Sequence, residues 1–231
     1  RGRVLFGYGN PRAIKKTIRQ IDANLNRMFK PVANLSSQEK KSYEYQRAKF
    51  LKKYLNQASA LLDIHASCDP NSVPFIICEA NASKIVKYLP VNLIVSGFDA
   101  IEPGGTDYYM NRQGQVGICI ECGYRRNPAT SQIAETAILN FLTVRGHISG
   151  KIKSKKQTKI KMFSLYLAKT NKFRLAKKFS DFAKLKSGEL IGLDGKNKVL
   201  APKNSIILFA QNTNKIGDEA FLLGKKKRPR G

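Results

Sequence analysis

The sequence predicts an α/β sheet covered by helices, followed by a small all-β domain. Two observations carry this. Apolar runs alternate with helical patterns through residues 1–149, and most of those runs are apolar at consecutive positions. Strands of that kind are buried on both faces, as happens when helices cover a sheet from either side. After Gly150 the pattern changes to short strands separated by glycine turns, which is the signature of an all-β unit.

The elements follow in order. "VLFGY" (residues 4–8) reads as a strand that ends in a turn at Gly9-Asn10-Pro11. In the next stretch Ile14, Ile18, Ile21, Leu25 and Met28 repeat at helical spacing. Ser36 or Ser37 can cap a helix over residues 38–57, with Tyr43, Arg47, Leu51, Tyr54 and Leu55 on one stripe. "ALLDIHAS", "VPFIIC", "VNLIVSGF" and "VGICIECG" read as strands, and "IEPGGTDYYMNRQGQ" as a glycine-rich loop. Asn127 and Pro128 suit the N-cap and first position of a helix whose apolar face is Ala134, Ala137, Ile138, Phe141 and Leu142, ended by Gly146. "KIKSKKQTKIK" is a basic connector. Short strands and turns fill residues 150–224, and residues 225–231 form a basic tail expected to be disordered.

Hydrophobic residues make up 42% of the 231, enough for a packed core, and no run is long enough to cross a bilayer as a helix. No signal peptide is visible, so a cytoplasmic location is expected. Cys119 and Cys122 form a C-x-x-C, but side chains alternate along a strand, so the two point to opposite faces and read as buried thiols rather than a shared zinc site. The net charge of +26 is uneven. Residues 1–145 carry 20 Lys and Arg against 11 acids, whereas residues 146–231 carry 22 against 5. Such a surplus attracts polyanions, so non-specific nucleic-acid binding is compatible with it.

Three polar features stand where apolar strands end. Asp63 and His65, two apart on a strand, share one face; imidazole is a common metal ligand, and a neighbouring carboxylate fixes its tautomer. Glu121 sits in an apolar strand, where a carboxylate is costly unless paired or functional, and it suits general-base work on a metal-bound water. If residues 10–30 are helical, Arg19, Asp22 and Asn26 lie opposite the isoleucine stripe with Arg27 beside them. Arg offers a fork of donors to a carboxylate and Asn a neutral donor and acceptor. The same segment can instead present a solvated basic face, and these residues alone leave both open.

"NPRAIKKTIRQIDANLNRMF", "LLDIHAS" and "GICIECG", in that order, resemble the aspartoacylase and succinylglutamate desuccinylase family, relatives of the zinc carboxypeptidases. The likeness extends through "PFIIC" and "IEPGGTDYYMNRQG" to the C-terminal "KSGELIGLDG" and "GDEAFLLG". It implies a zinc-carboxypeptidase-like mixed sheet and one zinc ion. It also implies that His65 is a zinc ligand, that Glu121 activates water and protonates the leaving amine, and that Arg19 polarises the scissile carbonyl. By the same likeness Asn26 and Arg27 grip the carboxylate of an N-acyl amino acid whose C–N bond is hydrolysed.

Two departures stand out. Asn24 replaces a second Asp common in the family's pattern, and the H-G-x-E motif that supplies the other two zinc ligands is absent. The chain begins inside the strand that follows that motif in the family. The expectation is therefore an N-terminally incomplete catalytic domain (residues 1–149), metal-poor and inactive as 231 residues. The alternatives are a non-catalytic relative or a basic nucleic-acid-binding protein. If the enzyme reading holds, His65 and Glu121 should lie about 4–6 Å apart, with a metal and water between them.

Overall fold

The structure is a computed structural model that describes residues 2–227. Among these residues eleven strands form two sheets. β1 (Ala60–Ser67), β2 (Phe75–Cys78), β3 (Leu93–Ser96), β4 (Val116–Tyr124) and β5 (Thr158–Leu167) belong to the larger. It also takes β7 (Lys184–Leu185), β10 (Ser205–Leu208) and β11 (Glu219–Lys226). Its eight strands run in the order β1-β4-β2-β3-β5-β11-β10-β7. β6 (Phe173–Leu175), β8 (Leu190–Asp194) and β9 (Asn197–Leu200) make a separate antiparallel sheet in the order β6-β8-β9.

The large sheet is mixed. β1 and β4 are parallel, β2 runs antiparallel to β4, and β2, β3 and β5 are parallel in turn. The small all-β sheet is present, but the other C-terminal strands are not a separate unit. β5 pairs with β3, so the sheet continues across the expected boundary at residue 150. The expected tail also begins later: β11 runs through Lys225 and Lys226, and residues 228–231 lie outside those described.

The helices are α1 (Pro11–Lys16), α2 (Ser37–Lys41), α3 (Tyr43–Leu55), α4 (Ser83–Val86), α5 (Phe98–Ile101), α6 (Thr106–Arg112) and α7 (Pro128–Val144). Asn127 caps α7 by accepting from the Ala129 N–H, as its sequence predicts. α7 lays Ala137, Ala134 and Phe141 on Ile118, Ile120 and Cys122 of β4 and Ile76 and Cys78 of β2. On the opposite face Cys119 packs with Phe75, Val95, Ile160 and Met162. The two cysteines of the C-x-x-C therefore enter different core clusters, as strand alternation requires.

Three local expectations fail for identifiable reasons. Residues 4–8 form no strand: Val4, Leu5, Phe6 and Tyr8 are exposed, and no described strand pairs with them. The helix over 38–57 is broken at Ser42, which has an extended backbone. Its hydroxyl donates to the Glu39 carbonyl and accepts from the Tyr45 N–H, ending α2 and capping α3. The "IEPGGTDYYMNRQGQ" loop contains α6, entered through Gly104 at φ +121°, where a Cβ would lie 2.9 Å from the Arg27 Cα.

The isoleucine segment also fails as one helix, for a separate reason. α1 stops at Lys16, and Thr17 turns left-handed at φ 55°. Ile14 and Ile18 are exposed. The next residues are held by Glu44, which is buried in the first turn of α3. Its carboxylate accepts from the backbone N–H groups of Ile21 at 2.6 Å and of Asp22 and Ala23 at 3.1 Å, and from the Asn10 amide at 2.9 Å. A helix would need those N–H groups for its own carbonyls. Burial works to raise the Glu44 pKa, but these donors outweigh it and hold the carboxyl below its ordinary value.

A group with a depressed folded pKa stabilises above its unfolded pKa, near 4.3 for Glu, and loses that contribution as pH falls through the folded value. Glu44→Gln should therefore lower the unfolding free energy by about 1–3 kcal/mol at pH 7, with the gap to wild type closing in acid. Urea unfolding at both pH values measures this; equal stability at pH 7 would refute the role assigned to Glu44.

Candidate active site

The site is set by strand register. In the parallel β1–β4 pair Asp63 lies opposite Cys119 and His65 opposite Glu121. All four side chains project from the face that carries Cys119 and Phe75, away from α7. His65 Nε2 lies 3.2 Å from Asp63 Oδ2, and Nδ1 lies 3.6 Å from Glu121 Oε1. Asp63 also accepts from the Thr106 hydroxyl at the start of α6. A chain Thr106–Asp63–His65–Glu121 results. The His65–Glu121 separation is shorter than the 4–6 Å expected from sequence, because the two groups face each other directly across adjacent strands.

Charge within the chain is uneven. The neighbouring Cys119 sulfur and the Asp63 carboxylate push the His65 imidazole well above its ordinary range, against burial. Burial pushes the Cys119 thiol itself up to about 12, so near neutrality the thiol is protonated and Asp63 is the neighbouring charge that raises His65. For Asp63, burial works upward but is outweighed by His65 and by hydrogen bonds from His65 and Thr106, leaving it below the usual carboxylate range. Asp107, next to Thr106, goes the other way: burial and the nearby Asp63 and Asp99 raise it to about 6.

Donor atoms of His65, Cys119 and Glu121 all lie within 4.8 Å of one another. Nitrogen, sulfur and carboxylate oxygen are zinc donors, and Asp63 behind Nε2 leaves Nδ1 facing Glu121. In donor type and spacing these residues fit a zinc-type ion. Sequence reasoning placed Cys119 in the core only; its register opposite Asp63 is what brings it to the site.

The expected substrate-binding residues are placed less uniformly. Arg19 is exposed in a bend after α1 and makes no hydrogen bond or ion pair among the described residues. Asp22 caps α3 instead of sharing a helix face with Arg19, its carboxylate accepting from the Tyr43 N–H at 2.7 Å. Asn26 and Arg27 sit in a 3-10 turn capped by Asn24, whose side chain accepts from the Asn26 N–H. Arg27 is half-buried, and carboxylates of the chain itself fill its fork: Glu219 at 2.8 Å and Glu102. Glu102 stands in the loop that leads to Thr106, and Phe29 N–H donates to the Gly104 carbonyl at 3.2 Å. One short loop thus touches both the Arg27 wall and the Asp63–His65 pair.

Asp63→Asn should bring the His65 pKa down toward its ordinary value, about 6.5. With only two histidines in the chain, an NMR titration of the imidazole signals resolves it. An unmoved His65 would remove Asp63 as its partner.

Residues 1–148 match the family model described as the succinylglutamate desuccinylase/aspartoacylase catalytic domain. No curated protein matches the sequence. Among solved structures, a succinylglutamate desuccinylase from Vibrio parahaemolyticus is similar over 97% of this chain and 71% of its own, with TM-score 0.78 and 16% identity. One from Vibrio cholerae covers 94% and 68%, with TM-score 0.76 and 17% identity. A succinylglutamate desuccinylase/aspartoacylase from Rhodobacter sphaeroides covers 95% and 74%, with TM-score 0.67 and 18% identity. At these identities the neighbours show the fold. The family match spans the DIH strand, the ECG strand and the arginine wall, and the chain belongs to the succinylglutamate desuccinylase/aspartoacylase family.

Proposed function

We propose that this chain is the catalytic domain of a zinc-dependent amidohydrolase that cleaves the C–N bond of a carboxylate-bearing N-acyl amino acid. The observation that supports this most is Glu121 facing His65 Nδ1, with Asp63 behind Nε2. His65, with the Cys119 sulfur close by, would contribute to holding the ion, and Glu121 faces it from the neighbouring strand. Zinc, when bound, supplies Lewis acidity to the reacting centre.

The chain's own groups do the rest. Asp63 keeps the proton on His65 Nε2 and the ring in one orientation. Glu121 takes a proton from the attacking water and returns it to the leaving amine. Arg19, unencumbered by any partner among the described residues, is available to polarise the scissile carbonyl and steady the oxyanion. The Arg27 fork, with Asn26 beside it, grips the substrate carboxylate by exchanging Glu219 or Glu102 for it. The net charge of +26 favours anionic substrates such as N-acyl aspartate or N-acyl glutamate by long-range attraction.

The family's H-G-x-E pair is not in the 231-residue sequence, so zinc held by this chain alone is expected to be weak. Among the described residues no helix is long and apolar enough to cross a membrane. The free cysteines suit a reducing compartment, and we place the protein in the cytoplasm.

Zinc titration should give binding that His65→Ala abolishes. Because two of the family's zinc ligands are not in this sequence, hydrolysis of N-acyl aspartate or glutamate by the zinc-loaded chain should be slow, and Glu121→Gln should lower its kcat by about 10²–10⁴-fold. Hydrolysis that Glu121→Gln leaves unchanged would refute the role given to Glu121.

A further inference from the structure

The surplus positive charge has a definite place in the fold. On β5 Lys159, Lys161 and Phe163 are exposed, alternating with the buried Ile160 and Met162; Thr158 and Leu167 at the strand ends are exposed too. β11 runs antiparallel beside it with Lys225 directly opposite Lys161, and the Lys227 N–H donates to the Lys159 carbonyl at 2.8 Å. Lys159, Lys161, Lys225 and Lys227 therefore form a block of two rows on one face of the sheet. Ile160 and Met162 point to the Cys119 side, so the lysines occupy the face opposite His65 and Glu121.

This block is not ordinary surface. Like charges directly opposite on paired strands destabilise a sheet. Lysines commonly guard edge strands against aggregation, but β5 and β11 are interior strands, flanked by β3 and β10. Cover stops on either side of them. α7 packs over β4 and β2, and the small sheet packs over Phe221 and Leu223 of β11. Among the described residues the four lysines have no ion-pair partner; Lys177 with Glu189 is the one lysine–carboxylate pair.

An aromatic ring completes the block. Gly224 pairs with Met162 and Leu223 with Ser164, so Phe163 is the extra residue of a β-bulge, a device that re-aims a side chain. Phe163 is 40% exposed, and the Lys225 ammonium lies 5.0 Å from its ring centre. Lys151, Lys153, Lys155 and Lys156 precede β5 in the sequence and add to the positive charge of this part of the chain.

We propose that this face binds single-stranded nucleic acid, with Lys159, Lys161, Lys225 and Lys227 on the phosphates and Phe163 stacked on one base. A sheet face that pairs cations with an exposed ring is the arrangement by which single strands are held without sequence preference. An anionic membrane would call for several apolar side chains to insert around the lysines, and Phe163 is the only one in this block. The surface is additional to the deacylase site and does not depend on that reading.

The test is fluorescence anisotropy of a labelled uridine oligonucleotide of about 12 nucleotides with the full chain, over a salt series. Four phosphate contacts give a slope of roughly −3 in log affinity against log salt. Lys159→Glu, Lys161→Glu, Lys225→Glu and Lys227→Glu together should weaken binding at least about tenfold and flatten that slope. Phe163→Ala should weaken it roughly tenfold with the slope unchanged, and it keeps the proposal testable should the charge-reversed protein not fold. Affinity unaltered by Phe163→Ala would overturn the proposal. So would an equal loss on reversing Lys196, Lys198 and Lys203 of the small-sheet region, which would mean diffuse charge. Tighter binding to phosphatidylserine vesicles than to the oligonucleotide, insensitive to Phe163, would assign the face to membrane and overturn it as well.

Discussion

The parallel pairing of β1 with β4 is the constraint on which the site depends. A one-residue slip would turn His65 and Asp63 toward α7 and leave Glu121 without its partner. The register is held because both faces of β4 are filled: Ile118, Ile120 and Cys122 under α7, and Cys119 against Phe75 and Met162. A chain buried on both faces cannot shift without exposing apolar surface on one and burying charge on the other. The chemistry of the site is thus carried by a core-packing decision.

Two carboxylate arrangements shape the wall opposite that pair, and they act differently. Glu44 satisfies three consecutive backbone N–H groups and so decides the path of residues 21–23. Glu102 and Glu219 satisfy the Arg27 side chain and leave the path alone. The first fixes where the wall stands. The second holds the Arg27 guanidinium in one pose between two carboxylates. The Glu102–Thr106 loop ties the two halves, since its ends reach Arg27 and Asp63.

The sheet separates two kinds of surface. On one face, buried polar groups are few, paired and tuned by burial. On the other, four lysines with no ion-pair partner among the described residues lie beside a bulge-aimed ring on β5 and β11. The +26 net charge is therefore neither spread evenly nor gathered around Arg27, which is already neutralised by two acids.

Much was legible in the sequence wherever the cause was local. Apolar runs marked β1 to β4, Asn127 and Pro128 marked the start of α7, and period-two alternation put Asp63 with His65 and parted Cys119 from Cys122. The D-x-H and E-C-G strings carried the family. The tertiary structure decided what depends on partners distant in the chain. Residues 4–8 have a strand's composition, but a strand exists only with a neighbour to bond, and none of the described strands bonds to them. The isoleucine stripe has a helix's period, but Glu44, twenty or more residues away, takes the N–H groups that a helix would use. Register across β1 and β4 brought Cys119 to His65, and pairing of β5 with β3 and β11 turned scattered lysines into one face. Sequence period reports which side of an element a residue is on; only long-range pairing reports what stands opposite.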